Sequence, residues 1–125
     1  MLQLYIIMGL TNIATIIADL TGKKKVSGNF LVDTGAAYTV VPKEMVGKLN
    51  LKPDRIQEFS LADGTIVSRK LGSAVIEIDG KKAASTVVLG EKDDSPLLGV
   101  ITLENMGLMV DPFSRKLRPM KLMLA

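Results

Sequence analysis

Turn signals recur about every eight to twelve residues along this chain, and the stretches between them are rich in Val, Ile, Leu and Thr. That rhythm leaves no room for long helices. It predicts short β-strands packed into one all-β unit. Asn12–Leu20 reads as a strand, and Leu2–Met8 as another before it, joined at Gly9. Thr21-Gly22-Lys23-Lys24-Lys25 reads as a hairpin turn leading into a strand through Phe30-Leu31-Val32. Gln57–Leu61 and Thr65–Leu71 flank Ala62-Asp63-Gly64, a hairpin-tip signature. Ser73–Ile78 alternates apolar and polar side chains, and Asp79-Gly80 turns the chain into Ala83–Leu89. Leu97-Leu98 reads as a short buried strand ending at Gly99. Leu108–Val110, a turn at Asp111–Ser114 and a return over Lys116–Arg118 form a last hairpin. Only Pro42–Leu49 and Ile101–Met106 read as helices, the first with proline near its start, the second closed by Gly107. The Met120–Leu124 tail is apolar enough to pair with something outside its own subunit.

At 125 residues the chain is expected to be a single domain, residues 1–125, large enough to fold without a disulfide or metal staple. Its aromatic fraction is 4%, so the core has to be built from aliphatic side chains. There is no histidine and no cysteine. That excludes Ser-His-Asp and Cys-His catalysis, thiol redox chemistry and the usual zinc and haem ligand sets. No cofactor and no metal are expected. Acid–base chemistry falls to Asp, Glu, Lys or Tyr.

The net charge of +3 comes from 16 basic and 13 acidic residues. The basic clusters, such as Lys23–Lys25 and Lys81-Lys82, fall at turns and are not interleaved with the five aromatics. They read as solvated ends, so no nucleic-acid partner is expected. The apolar start, Met1 to Leu10, has no basic leader, and Thr11, Asn12 and Asp19 interrupt it before a spanning length. A cytoplasmic protein with no membrane partner is the expectation.

The stretch that carries chemistry is Phe30-Leu31-Val32-Asp33-Thr34-Gly35-Ala36. An apolar strand delivers a carboxylate onto a loop of Thr and Gly. Carboxylates at buried strand ends are uncommon unless satisfied or functional. Thr34 brings a hydroxyl able to bond a neighbouring backbone group, and Gly35 allows another chain or a ligand to come close. On the tripeptide alone, a plain strand-to-turn corner with Asp33 as turn acceptor reads equally well.

The longer run Leu31–Pro42 resembles the active-site segment of retropepsin-like aspartic proteases. The resemblance extends over roughly residues 12 to 118: a hairpin at Phe59–Lys70, a strand pair over Ser73–Leu89, then Leu97-Leu98-Gly99 and a short helix. Leu98-Gly99-Val100 and Val110-Asp111-Pro112 are similar to segments of the small prokaryotic members. What the resemblance implies is a closed acid-protease β-barrel and an aspartic endopeptidase. Asp33, Thr34 and Gly35 would be catalytic. Ala36 and Ala37 beside the loop, Ala62, Asp63, Gly64 and Thr65 on a mobile flap, and Leu98 and Gly99 would bind substrate. The departure is at Ala37 and Val100, where retroviral members often carry an acid and a base that pair. Both are apolar here, so neither charge is left alone.

This class of peptidase uses two carboxyls in contact, and the chain has one Asp-Thr-Gly. Asp63 is at a hairpin tip, Asp79 in a turn, Asp93-Asp94 in a polar loop, and Asp111 before a proline. The economical solution is a homodimer in which Asp33 meets its symmetry mate, with Thr34 bonding across the axis and a peptide or unfolded protein as substrate. The alternative expectation is a catalytically weak or inactive peptide-binding module on the same fold.

Overall fold

The computed structural model describes residues 11–121, 123 and 124. The strand expected over Leu2–Met8 lies outside the described residues, as does Leu122 within the apolar tail. Among these residues nine strands and two short helices follow in order: β1 (Thr11–Ala18), β2 (Lys25–Val32), β3 (Thr39–Val41), α1 (Lys43–Leu49), β4 (Pro53–Ser60), β5 (Ile66–Ile78), β6 (Lys81–Leu89), β7 (Leu97–Leu98), α2 (Val100–Asn105), β8 (Leu108–Val110) and β9 (Leu117–Pro119).

Seven strands form one sheet in the order β1-β2-β7-β3-β6-β5-β4, and β1 also pairs with β5. That extra pairing, Ile16↔Glu77 to Ala18↔Val75, closes the sheet on itself. Closure removes the free edges that an open sheet would expose. The result is the expected all-β barrel with two short helices. β4 stands outside the ring and, with the outer half of β5, makes a projecting two-stranded arm.

Alternation explains which faces turn inward. Ala74, Ile76 and Ile78 of β5 are buried while Ser73, Val75 and Glu77 between them are half-exposed. Ile17, Phe30, Val87 and Leu98 meet them in the core, with Leu49 from α1 and Leu103 from α2 closing the ends. The turn at Asp79-Gly80 has positive φ at both residues, 50° and 80°, the geometry that a tight hairpin between right-twisted strands needs.

Three boundaries differ from the sequence reading. β5 runs through Gly72 as one 13-residue strand rather than two. A Cβ at Gly72 would stand 2.6 Å from the Lys52 carbonyl oxygen, so this glycine marks a close approach of chains and not a break. β4 begins at Pro53, earlier than Gln57, with a register shift between Pro53 and Arg55. Thr39–Val41 is an additional strand, parallel to β6 and antiparallel to β7. Among the described residues no helix is long and apolar enough to cross a membrane.

Candidate active site

β2 ends at Val32, and the next residue, Asp33, is held at the sheet's edge by its own backbone: its N–H donates to the Leu98 carbonyl at 3.0 Å. The turn that follows is closed by Ala36 N–H on the Asp33 carbonyl at 3.1 Å. The loop then docks on the start of α2, where Val100 N–H donates to Ala36 O at 2.9 Å and Ile101 N–H to Ala37 O at 3.0 Å. Gly99 makes this docking feasible. A Cβ there would lie 2.6 Å from the Tyr38 carbonyl oxygen and 2.7 Å from that of Ala37, inside contact distance.

Behind the loop runs a chain of buried hydroxyls. Gly99 N–H donates to Thr39 Oγ1 at 3.0 Å, Thr39 and Thr102 hydroxyls meet at 2.6 Å, and Thr102 meets Ser85 at 2.9 Å. Ser85 Oγ donates to the Thr86 carbonyl at 3.2 Å. A hydroxyl carries one proton, so the end donor and the end acceptor fix the direction throughout: Gly99 to Thr39 to Thr102 to Ser85 to Thr86. Each of these three hydroxyls has its partners, as burial demands.

The Asp33 side chain is half-buried, and its Oδ1 accepts the Gly35 N–H at 2.9 Å. A Cβ on Gly35 would approach that same oxygen to 3.2 Å, so glycine leaves the carboxylate room. Asp33 opens onto a cleft of about 560 Å³ between the loop and the β4–β5 arm. Gly35, Ala36, Ala37 and Tyr38 form its floor; Phe59, Leu61, Ala62 and Val67 come from the arm. The Tyr38 and Phe59 rings meet edge to face at 6.0 Å across it.

The structure thus gathers Asp33, Gly35, Ala36, Ala37 and Ala62 around one cleft. Thr34 is exposed beside them, off the cleft lining. Asp63, Gly64 and Thr65 form the arm's tip, beyond the lining of the single chain. There Gly64 has a φ of 88°, and the Asp63 carboxylate accepts the Thr65 N–H at 2.9 Å. Hydrogen bonds from the Thr65 hydroxyl and amide hold the Asp63 carboxyl below the ordinary range. Leu98 and Gly99 are buried behind the loop and bear on the site through its backbone.

Asp111 is committed elsewhere. Asp111 accepts Phe113 N–H at 2.9 Å and pairs with Arg118 at 2.7 Å, capping the last hairpin. The amide of Phe113, then that of Ser114, holds its carboxyl below the ordinary range. Among the described residues no group of acidic side chains is placed to hold a metal ion.

Besides apolar lining residues such as Phe59, Leu61 and Val67, sequence reasoning left out the two other charged residues of the cleft, Arg69 and Asp94. Arg69 Nε donates to Asp94 Oδ2 at 2.7 Å and Nη2 to Oδ1 at 3.1 Å. The Arg69 bond holds the Asp94 carboxyl below its ordinary range despite partial burial. A signal was present: Arg69 stands where strand alternation calls for an apolar residue.

Residues 20–105, more than half of the chain, match the family model described as "gag-polyprotein putative aspartyl protease". No curated protein matches the chain.

Proposed function

The chain belongs to the retropepsin-like aspartyl protease family, and from that premise we propose that it is an endopeptidase that works as a homodimer. One observation carries the reading: a single half-buried Asp33 faces a peptide-sized cleft while the other acid on that wall, Asp94, is tied to Arg69. A second carboxyl therefore has to come from elsewhere, and a twofold copy supplies it most simply.

Two such carboxyls in hydrogen-bond contact hold one proton between them. The ionised partner takes a proton from a water bound between them. The hydroxide so formed attacks the scissile carbonyl carbon, and the protonated partner gives its proton to the carbonyl oxygen. The tetrahedral intermediate then collapses: the amine leaves with the proton the dyad took from water, one hydroxyl of the intermediate returns its proton to the dyad as the C–N bond breaks, and the two carboxyls again share one proton. The Gly35 N–H on Oδ1 would fix the plane of each carboxylate, and the exposed Thr34 hydroxyls would bond across the axis.

The cleft suits an extended peptide. Its floor is the loop backbone with the small side chains of Ala36 and Ala37 beside the Tyr38 ring, and its roof is a hairpin whose tip, at Gly64, has the backbone freedom of a moving flap. An acid-to-neutral pH optimum follows from the need for one ionised and one protonated carboxyl.

The test is Asp33→Asn, assayed on unfolded-protein and peptide substrates beside sedimentation of both proteins. The expected result is a dimer in each case and cleavage only by the wild type. Undiminished cleavage by the variant overturns the assignment. Peptide binding without cleavage in the wild type leaves a binding module on the same fold.

A further inference from the structure

The two strands of the outer arm turn the same face to the cleft, and that face changes character along its length. Phe59 pairs with Val67 near the tip, and Gln57 pairs with Arg69 nearer the base. Period-two alternation puts Arg55, Gln57 and Phe59 on one side of β4, as it puts Val67, Arg69 and Leu71 on one side of β5. Val67 and Arg69 are half-buried and Leu71 buried, whereas Ile66, Ser68 and Lys70 between them are exposed. The inward face is therefore apolar at the tip and basic at the base.

Stability does not explain a charged pair on that wall. The Arg69 and Asp94 side chains are only 23% and 24% exposed, and Val67, Val88 and Leu97 surround the same cleft. An apolar pair of similar volume would hold such a site as well or better. Nor is the pair chemically saturated. Arg69 spends Nε–H and one Nη2–H on Asp94 and one Nη1–H on the Ser68 carbonyl at 3.0 Å. A guanidinium has an N–H left on each terminal nitrogen after that. Asp94 Oδ2 already takes Arg69 Nε and the Glu91 N–H, the latter at 2.7 Å. The pair as a whole offers more donors than acceptors. Arg55 adds a second guanidinium nearby, its Nη2 3.5 Å from the Tyr38 hydroxyl on the cleft floor.

We propose that the arm-base end of the cleft, walled by Arg69 and Asp94, is a specificity pocket for a substrate side chain bearing an acceptor oxygen, a carboxylate or carboxamide. The apolar end, at Phe59 and Val67, takes the apolar residue closer to Asp33. Asp94 partly neutralises Arg69 and so keeps amides acceptable alongside acids. The inference rests on the peptidase reading for the nature of the ligand.

The test uses binding, so that it does not depend on turnover. In an Asp33→Asn background, extended apolar peptides carrying Leu, Gln, Glu or Lys at each position in turn are titrated by fluorescence anisotropy. At one position Gln and Glu should bind about tenfold more tightly than Lys, the scale of one charge-assisted hydrogen bond. Adding Asp94→Asn should raise the preference for Glu over Gln. Adding Arg69→Met should invert the order in favour of Lys, because Asp94 is then unpaired. If Arg69→Met fails to fold, the Asp94→Asn shift decides. An unchanged order in the folded variants, no position with a preference, or no binding of any peptide overturns the proposal. Wild-type cleavage of the same peptides is read in parallel. Binding with the expected order but no cleavage sinks the peptidase reading and keeps the pocket; cleavage without that order does the reverse.

Discussion

The two walls of the cleft are built in opposite ways. The floor, Asp33 to Tyr38, is bonded through its backbone to Leu98, Val100 and Ile101, and backed by the hydroxyl chain from Gly99 to Thr86. The roof is the β4–β5 arm, in which every β4 residue except Phe59 is exposed. Beyond its own hairpin ladder and the pairing of Lys70–Gly72 with β6 at its base, the arm is tied down by the Arg69–Asp94 pair, the Tyr38–Phe59 contact and the long Arg55–Tyr38 bond. A reacting carboxylate gains from a fixed setting, since small displacements cost rate. A lid has to open for an extended chain to enter, so weak attachment suits it. On the proposed function, the rigid wall is the one that would carry the chemistry and the loosely attached one the wall that would admit substrate.

If this contrast is right, changes to the floor should cost far more than changes to the roof. The largest effect is expected from Gly99→Ala. Its methyl group would be driven into the Ala37 and Tyr38 carbonyls, and the Ala37 carbonyl cannot move without breaking the bond it accepts from Ile101 of α2. Overpacking against backbone should cost about 3 kcal/mol or more, read as a fall in Tm of roughly 10 °C or more. A silent Gly99→Ala would mean that the loop is not braced from behind.

Thr39→Val comes next. It keeps the shape but leaves the buried Gly99 N–H without an acceptor, at a cost of about 1–3 kcal/mol. Denaturant midpoints measure it. Thr102→Val should cost a similar amount and should not add to it in the double variant, because the two hydroxyls belong to one chain of donors.

In both walls the sequence showed what is local and hid what distant residues assemble. Asp33-Thr34-Gly35, the hairpin tip and Leu97-Leu98-Gly99 are local patterns, each readable within a few residues. Thr39–Val41 was invisible because a three-residue strand is made by its partners β6 and β7, far along the chain. Gly72 was read as punctuation because a close approach to Lys52 leaves the same trace in sequence as a turn. The Arg69–Asp94 pair joins residues that only the closed barrel brings together. Its one local trace is a charge on an inward-facing strand position. The buried hydroxyl chain has the same origin: Thr39, Ser85 and Thr102 are ordinary residues until the fold lines them up.

The smallest effect belongs to the roof. Asp94 has a folded pKa depressed by Arg69, so the pair stabilises the fold above the ordinary carboxylate range. That contribution fades as pH falls through the lower folded value. Both side chains are about a quarter exposed, so solvent screening limits it to about 1 kcal/mol or less. Thermal melts of wild type and Asp94→Asn should differ at neutral pH and converge in acid. Subtracting the two curves removes the other depressed carboxylates, Asp19, Asp63 and Asp111, which the variants share. A difference that grows in acid would contradict the assignment.

The central claim is that one Asp33 is inert without another, and subunit mixing tests it most directly. Wild type and Asp33→Asn are unfolded together, refolded at constant total concentration, and assayed on a peptide substrate as the wild-type fraction is varied. If both carboxyls of a twofold pair are needed, activity follows the square of that fraction, falling to roughly one quarter at an equal mixture. A linear fall, to roughly one half, would mean that a single chain cleaves unaided and that the shared dyad does not exist.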